Sequence, residues 1–351
     1  MGATKKEKIA VTGNQGYIGS VLTEELIKRG YHVVGIDSGI FRDSVMGDRV
    51  EPTQQLTKDI RGVEVSDLKG VKAVVHLAGL SNDPLGELDP RLTLDINYKA
   101  SVRLAEIAKA AGVERFLFSS SCSMYGASGG EVVDETGELD PMTVYAKSKV
   151  KVERDVKRMV DDNYSAVFLR NATIFGYSPR LRLDLVVNNL SASGYLNGVI
   201  EVLSDGTPWR PNLHVRDCAN AFIFLMLEPA ETVSGQAYNI GMDESNMQVK
   251  DIASKVGDKI SGAKVEIKGV GSPDERTYKV SFASMAGLGW KGEYSVEDGV
   301  EEIIRAFKKW GLTTEDFVGG RYNTLHRYKE MIEQGIMDKE LRVLEGTKVA
   351  V

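Results

Sequence analysis

Cysteine is scarce. The 351 residues hold two, Cys122 and Cys218, too few for a disulfide framework or a thiolate metal site, and a reducing, cytoplasmic setting is expected. Long apolar runs are missing too: none reaches the length that spans a bilayer, and no secretory leader precedes the first apolar stretch, so no membrane partner is expected. An excess of positive charge is also absent. Lys and Arg number 44 against 50 Asp and Glu, a net charge of −6, and the cations are dispersed, which argues against a nucleic-acid face. The Met1-Gly2 start meets Lys6 where myristoylation requires Ser or Thr. There is no internal repeat or low-complexity tract. With 42% apolar and 27% charged residues, the composition is that of an ordinary globular protein long enough for more than one lobe.

What the chain does have is concentrated near its start. Ile9-Ala10-Val11 is a short buried-strand run, followed by Thr12-Gly13-Asn14-Gln15-Gly16-Tyr17-Ile18-Gly19 and an apolar helical pattern through Leu26 that stops at Lys28-Arg29-Gly30. Such a turn gathers unpaired backbone N–H groups and the positive end of a helix at one point, which suits a pyrophosphate. A tight turn with no ligand has the same spacing. The next apolar run, His32 to Ile36, ends in Asp37. An acid at that distance accepts the two ribose hydroxyls of an adenosine and repels a 2′-phosphate, selecting NAD over NADP; it also reads as a turn acid before Ser38-Gly39. Together the two features point to a dinucleotide site.

Beyond Asp37 strands and helices alternate. Strand runs fall at Leu56–Ile60, Ala73–Gly79, Arg115–Ser119 and Ala166–Arg170, with helices over 91–111 and 143–161. Asp83-Pro84 and Asp89-Pro90 bracket a loop. The pattern is that of an α/β protein with a doubly wound parallel sheet, whose ligands sit beyond the carboxyl ends of the strands. Asp37, Asp59, Gly79, Ser121 and Asn171 fall there. After Gly176 the rhythm changes: helices over 184–197, 217–227, 249–260 and 296–307 mix with strand runs at 199–203, His214-Val215, 237–240 and 265–267, a smaller mixed α/β lobe. A polar helix over 322–334 lies in the tail.

Tyr145 and Lys149 stand four apart on one helix face. A phenol with a pKa of about 10 is a poor base at neutral pH, and a nearby ammonium stabilises its phenolate. Tyr145 then accepts a proton from a substrate alcohol while hydride leaves the same carbon. With thirteen tyrosines in the chain, one such pair is expected by chance; its position after the fifth strand gives it meaning. The run Ser119 to Gly126 offers hydroxyls at that strand's tip to steady a forming carbonyl, or simply to close a turn. His76 and His214 have no acids beside them, so no metal is expected.

These motifs together resemble the extended short-chain dehydrogenase/reductase superfamily, and within it the NAD-dependent nucleotide-sugar epimerases and dehydratases, from about Lys8 to Ala306. The resemblance implies NAD on Gly13, Gln15, Gly16, Tyr17, Ile18, Gly19, Asp37, Asp59, Ile60, Leu77, Ala78, Gly79, Asn97, Ser119, Tyr145 and Lys149. It implies catalysis by Ser121, Tyr145 and Lys149, and a nucleotide-diphosphate sugar held by Ser121, Ser123, Asn171, Arg180, Asn189, Arg210 and Arg276. Arg180 and Arg182 equally suit pairing with Asp184. The implied division is a Rossmann NAD-binding domain over 1–176 with 210–242 returning to it, a sugar-nucleotide lobe over 177–209 and 243–310, and a C-terminal helical extension over 311–351.

The family's 4,6-dehydratases carry Asp-Glu where this chain has Cys122-Ser123, which disfavours dehydration. A 4-epimerase acting by transient C4 oxidation is expected, with a C4 dehydrogenase releasing its 4-keto sugar and NADH as the alternative. A sensor lacking turnover is the remaining reading, against which Tyr145 and Lys149 both stand. The family also implies a homodimer through a four-helix bundle built from the helices over 91–111 and 143–161, where apolar Ala100, Val102, Leu104 and Ile107 face either a partner or the sheet.

Overall fold

The computed structural model describes residues 6–81, 89–127, 131–270 and 276–344; the turn at Asp83-Pro84 lies outside them. In chain order the strands and longer helices are β1 (Lys8–Thr12), α1 (Tyr17–Lys28), β2 (His32–Asp37), β3 (Gln54–Thr57), β4 (Val71–His76), α2 (Ala100–Ala110), β5 (Arg115–Ser121), β6 (Val132–Val133), α3 (Val144–Lys157), β7 (Ser165–Asn171) and β8 (Thr173–Phe175). Then come α4 (Val186–Asn197), β9 (Val199–Val202), β10 (Trp209–His214), α5 (Val215–Leu227), β11 (Ala237–Ile240), β12 (Asn246–Gln248), α6 (Val249–Lys259), β13 (Lys264–Ile267), β14 (Lys279–Val280), α7 (Val296–Trp310) and α8 (Thr324–Glu333).

Seven parallel strands make the main sheet, in the order β11-β7-β5-β4-β1-β2-β3. Alternation along each strand sends side chains to two cores, because successive residues face opposite sides of a sheet. Ile9, Val11, Val33, Leu117 and Leu169 pack with α1 and α5 through Leu22, Leu26 and Phe222. Ala10, Val34, Phe116, Phe118 and Phe168 pack on the other face with Leu104 and Ala108 of α2 and Val152 and Val156 of α3. The strand order reverses at β1 and β4, and a crevice opens at that switch point.

The second lobe closes on its own core, with Leu190, Ile200, Val256, Val300, Ile303 and Phe307 drawn from α4, β9, α6 and α7. Helix α7 has a capping box between Ser295 and Asp298 and stops at Gly311 with φ 76°, a start and stop that amphipathic helices commonly use. Strand β10 does not join the main sheet. It sits between β12 and β8 in a small sheet of its own, while β11 does return to the main sheet's edge.

Several sequence expectations change. The strand read at Leu56–Ile60 runs from Gln54 to Thr57, and Ile60 opens a 3₁₀ turn. The strand read at His214-Val215 ends at His214, whose side chain caps α5, so Val215 is helical. The single helix over 91–111 is a helical turn, Pro90–Thr93, then a π-helical stretch, Leu94–Lys99, then α2. Among the described residues no helix is long and apolar enough to cross a membrane, and no group of His, Cys, Asp and Glu could hold a metal ion.

Candidate active site

One cavity, of about 520 Å³, runs along the carboxyl ends of the central strands. At its base is the turn after β1. Gly13 has φ 72°, and a Cβ there would lie 2.8 Å from the backbone nitrogen of Ala78. At Gly19 an added Cβ would fall 2.0 Å from the Gly13 carbonyl oxygen. These two positions admit only glycine, since the loop after β4 and the start of α1 press on the turn from both sides. Gly16, the N-cap of α1, has no side chain to cap the helix, so the helix N-terminus is open to an anionic group.

Asp37 ends β2 on the cavity wall. Its carboxylate accepts from the backbone N–H groups of Gln15 at 3.1 Å and Gly39 at 2.9 Å. Burial pushes its pKa up, and those two donors and the guanidinium charges of Arg49 and Arg180 act against that. Gln15 contributes its backbone; its side chain is buried and does not line the cavity. Asp59 and Ile60 line the same end. Burial opposes ionisation of Asp59, but the Arg61 guanidinium, bonded to both carboxylate oxygens, outweighs it and holds the pKa below the usual range. Asn97, expected among the cofactor ligands, is not on the wall. Its amide clamps the backbone of Leu80, accepting at 2.7 Å and donating at 2.9 Å, and so supports the loop carrying Leu77, Ala78 and Gly79, which do line the cavity.

A turned glycine cradle, an open helix N-terminus and a strand-end carboxylate are what a dinucleotide requires, so the residues present fit NAD.

Ser119, Ser121 and Ser123 at the end of β5, Tyr145 and Lys149 on α3, and Asn171 at the end of β7 converge at the other end of the cavity. Thr143 caps α3 through the Ala146 N–H, which sets the helix start so that Tyr145 and Lys149 face the crevice. The Lys149 ammonium lies 5.4 Å from the centre of the Tyr145 ring and 4.7 Å from that of Phe118, and donates to the Ser119 carbonyl at 2.6 Å. Burial pulls its pKa down to about 8, with the Glu153 carboxylate acting in the opposite sense. Ser121 donates to the Ser123 hydroxyl at 3.0 Å, and Asn171 donates to the Ser119 hydroxyl at 3.0 Å. Behind this wall Arg170 forms a buried ion pair with Glu153 at 2.8 Å.

Cys122 is buried, its thiol directed at the Arg170 carbonyl, and burial pushes its pKa up. His76 is wedged between Thr12 at 2.7 Å and Ser101 at 2.8 Å, and burial followed by the Lys149 charge depresses its pKa to about 3, so it stays neutral.

The arginines separate. Arg210 and Arg276 line the cavity, with the Arg210 guanidinium bonded to the Arg276 carbonyl. Arg182 takes the ion-pairing role, holding Asp184 through two bonds of 3.0 and 2.6 Å. Arg180 lies 2% exposed, stacked 4.2 Å over the Phe41 ring and bonded to Thr324 at 3.3 Å. This is the Asp37 end of the cavity, not the serine end where a sugar-binding role was expected. Asn189 does not reach the cavity; its amide donates to the Leu183 carbonyl at 2.9 Å, closing the first turn of α4.

The sequence reading missed a good part of the wall, including Phe41, Arg61 and Tyr278 and, from the tail, Thr324, Tyr328 and Leu341. The helix read as polar does carry an apolar stripe, Leu325, Tyr328, Met331 and Ile332, at helical spacing. That stripe was the available signal.

Among characterised proteins, UDP-glucose 4-epimerase 4 of Oryza sativa subsp. japonica is 30% identical over 333 residues, 86% of this chain and 89% of the relative. The UDP-glucose 4-epimerase of Mus musculus is 28% identical over 339 residues, 85% and 96%. Of solved structures, MoeE5 in complex with UDP-glucose and NAD has a TM-score of 0.73 at 27% identity, over 86% of this chain and 99% of that one. TunA, an NAD-dependent NDP-hexosamine 5,6-dehydratase, has a TM-score of 0.77 at 24% identity, over 87% and 98%, a likeness of fold. The family model for the NAD dependent epimerase/dehydratase family matches residues 9–241. The match starts within β1 and runs just past β11, taking in every strand of the main sheet, and on that extent the chain belongs to this family.

Proposed function

We propose that this protein is an NAD-dependent 4-epimerase of a UDP-hexose, acting by transient oxidation at sugar C4. The observation that carries the reading is the convergence, in one cavity, of the dinucleotide turn with Tyr145, Lys149 and Ser121. The chemistry supplied by bound NAD is reversible acceptance of hydride from that carbon. Lys149, 5.4 Å from the Tyr145 ring, favours the phenolate, which takes the proton from the C4 hydroxyl. Ser121 donates to the same oxygen as it becomes a carbonyl. Arg210 and Arg276 supply positive charge for the diphosphate, a task that suits a guanidinium. Water elimination is disfavoured, because the two positions after Ser121 hold a buried thiol, Cys122, and a hydroxyl, Ser123, in place of carboxyl groups.

The reading includes a homodimer, and the two free, buried thiols, Cys122 and Cys218, suit a reducing compartment such as the cytoplasm. The test is to mix the purified protein with UDP-glucose and UDP-galactose and follow both sugar composition and NADH absorbance. Interconversion without accumulating NADH is expected, and Tyr145→Phe lowers it on the order of 10²–10⁴-fold. Stoichiometric NADH with a released keto sugar would mean net dehydrogenation. Full turnover by Tyr145→Phe would sink the mechanism.

A further inference from the structure

The described segment after α7 crosses back over the Rossmann domain and reaches the cavity. Its first part packs on the second lobe through Leu312 and Tyr322; from Thr324 on, its contacts with the cavity are at the adenosine end. Tyr328 of α8 meets Phe41 edge-on at 5.4 Å, and Leu341 is 5% exposed. With Met331 and Met337 they join Ile40, Ile60, Leu80, Leu92 and Ile96 in one apolar cluster. Polar ties hold the segment at several points. Arg61, already bonded to Asp59, donates to the carbonyls of Glu340 at 2.9 Å and Leu341 at 3.4 Å. Arg327 pairs with Asp43, and Arg91 with Glu340 at 3.1 Å. Leu341 is the one non-glycine residue with positive φ among those described, at 56°. A branched side chain in that region is costly, and the cost persists only where the surroundings hold it.

We propose that Tyr328 and Leu341 are cofactor-contacting residues and that the segment 324–344 is a latch that keeps the adenosine half of NAD in its cleft through successive turnovers. This rests on NAD occupying that cleft. The physical argument is enclosure. Without the segment, the adenosine end would be walled by Asp37, Phe41, Asp59 and Ile60 and open on the side that Thr324, Tyr328 and Leu341 now cover. Release of NAD then requires the segment to separate from an apolar cluster and from the Arg61 bonds, so its rate is set by that opening. Retention also suits the proposed reaction, in which the hydride must return to the sugar from the same bound nicotinamide. Arg61 couples the two halves, since one guanidinium orients Asp59 against the cavity and grips the latch.

The test uses the full-length protein. Bound NAD is counted after denaturation, and its exchange is followed by adding excess fluorescent etheno-NAD. Slow exchange is expected for the wild type, and Tyr328→Ala and Leu341→Ala each speed it roughly tenfold, the scale of a lost base–side-chain stack. Hydrogen exchange across 324–344 slows when NAD is added to stripped wild-type protein. Wild-type exchange unchanged in both variants, with their folding verified by circular dichroism, would overturn the latch. A wild type that neither retains nor takes up NAD would instead overturn the cleft assignment on which it rests.

Discussion

Lys149 is buried in the wall it serves, and its burial has a measurable consequence. The proposed mechanism needs its ammonium beside Tyr145, yet burial lowers its pKa from 10.5 to about 8. Turnover therefore falls as pH rises through about 8, because the charge that favours the phenolate is lost. Glu153→Gln removes the carboxylate that partly holds the charge on, so the alkaline limb of kcat against pH moves lower. A profile flat through pH 8, or a limb that moves up, would contradict this. The linkage to stability has the opposite sign. Between about 8 and 10.5 the unfolded chain keeps a proton that the folded chain has released, so this group makes folding more favourable as pH rises across that window. Glu153 has a second partner: Arg170 bonds to both of its oxygens. Arg170→Met leaves the buried Glu153 carboxylate with only the Ser120 hydroxyl and the Lys149 charge beside it and costs about 3 kcal/mol, seen as a lowered urea midpoint; a midpoint within error of wild type would refute it. The Tyr–Lys pair was legible from spacing alone. Arg170 was read only as strand, because nothing local says that Glu153, on the neighbouring helix, will stand opposite it.

At the level of elements, the strand–turn–helix at the start of the chain is the most exacting piece. Gly19→Ala places a methyl 2.0 Å from the Gly13 oxygen, so either the turn or α1 must shift. We expect protein purified with little NAD and destabilised by about 1–3 kcal/mol; full NAD content, measured by absorbance after denaturation, would argue against it. This element was readable because the glycine spacing, the apolar strand and the helix stop all agree locally. The π-helical stretch Leu94–Lys99 was not readable. Its residues fit an α-helix equally well, and its register places Asn97 against Leu80, a contact between segments seventeen residues apart in sequence. Strand β10 was mostly missed for a related reason: Trp209, Arg210, Pro211 and Asn212 carry little strand pattern, and their pairing with β8 and β12 depends on where those strands lie.

Across the whole molecule, the apolar residues of α2 that suggested a two-fold bundle are used within one copy: Ala100 and Leu104 are 4% and 0% exposed, and Val102 and Ile107 pack on the α2–α3 core. What α2 and α3 leave exposed is, apart from Ala110, charged: Arg103, Glu106, Lys109, Lys147, Arg154 and Lys157. A homodimer through this face is accordingly expected to be salt-sensitive. Sedimentation at low ionic strength should show two copies, weakened by added salt and by Arg154→Glu; a single copy at every loading would remove the dimer from the proposal. The chain by itself determined the parallel sheet, the dinucleotide turn, the strand-end acid and the Tyr–Lys helix, because each is written in residues close together, where strand alternation, helix spacing and glycine's freedom act directly. Only the tertiary structure decided that Arg180 stands beside Phe41 at the Asp37 end of the cavity, that Asn97 and Asn189 brace backbone, and that the tail lines the cavity. Those outcomes depend on contacts such as Arg61 with the Glu340 carbonyl, 279 residues away, whose energy exists only after the sheet has brought distant segments together.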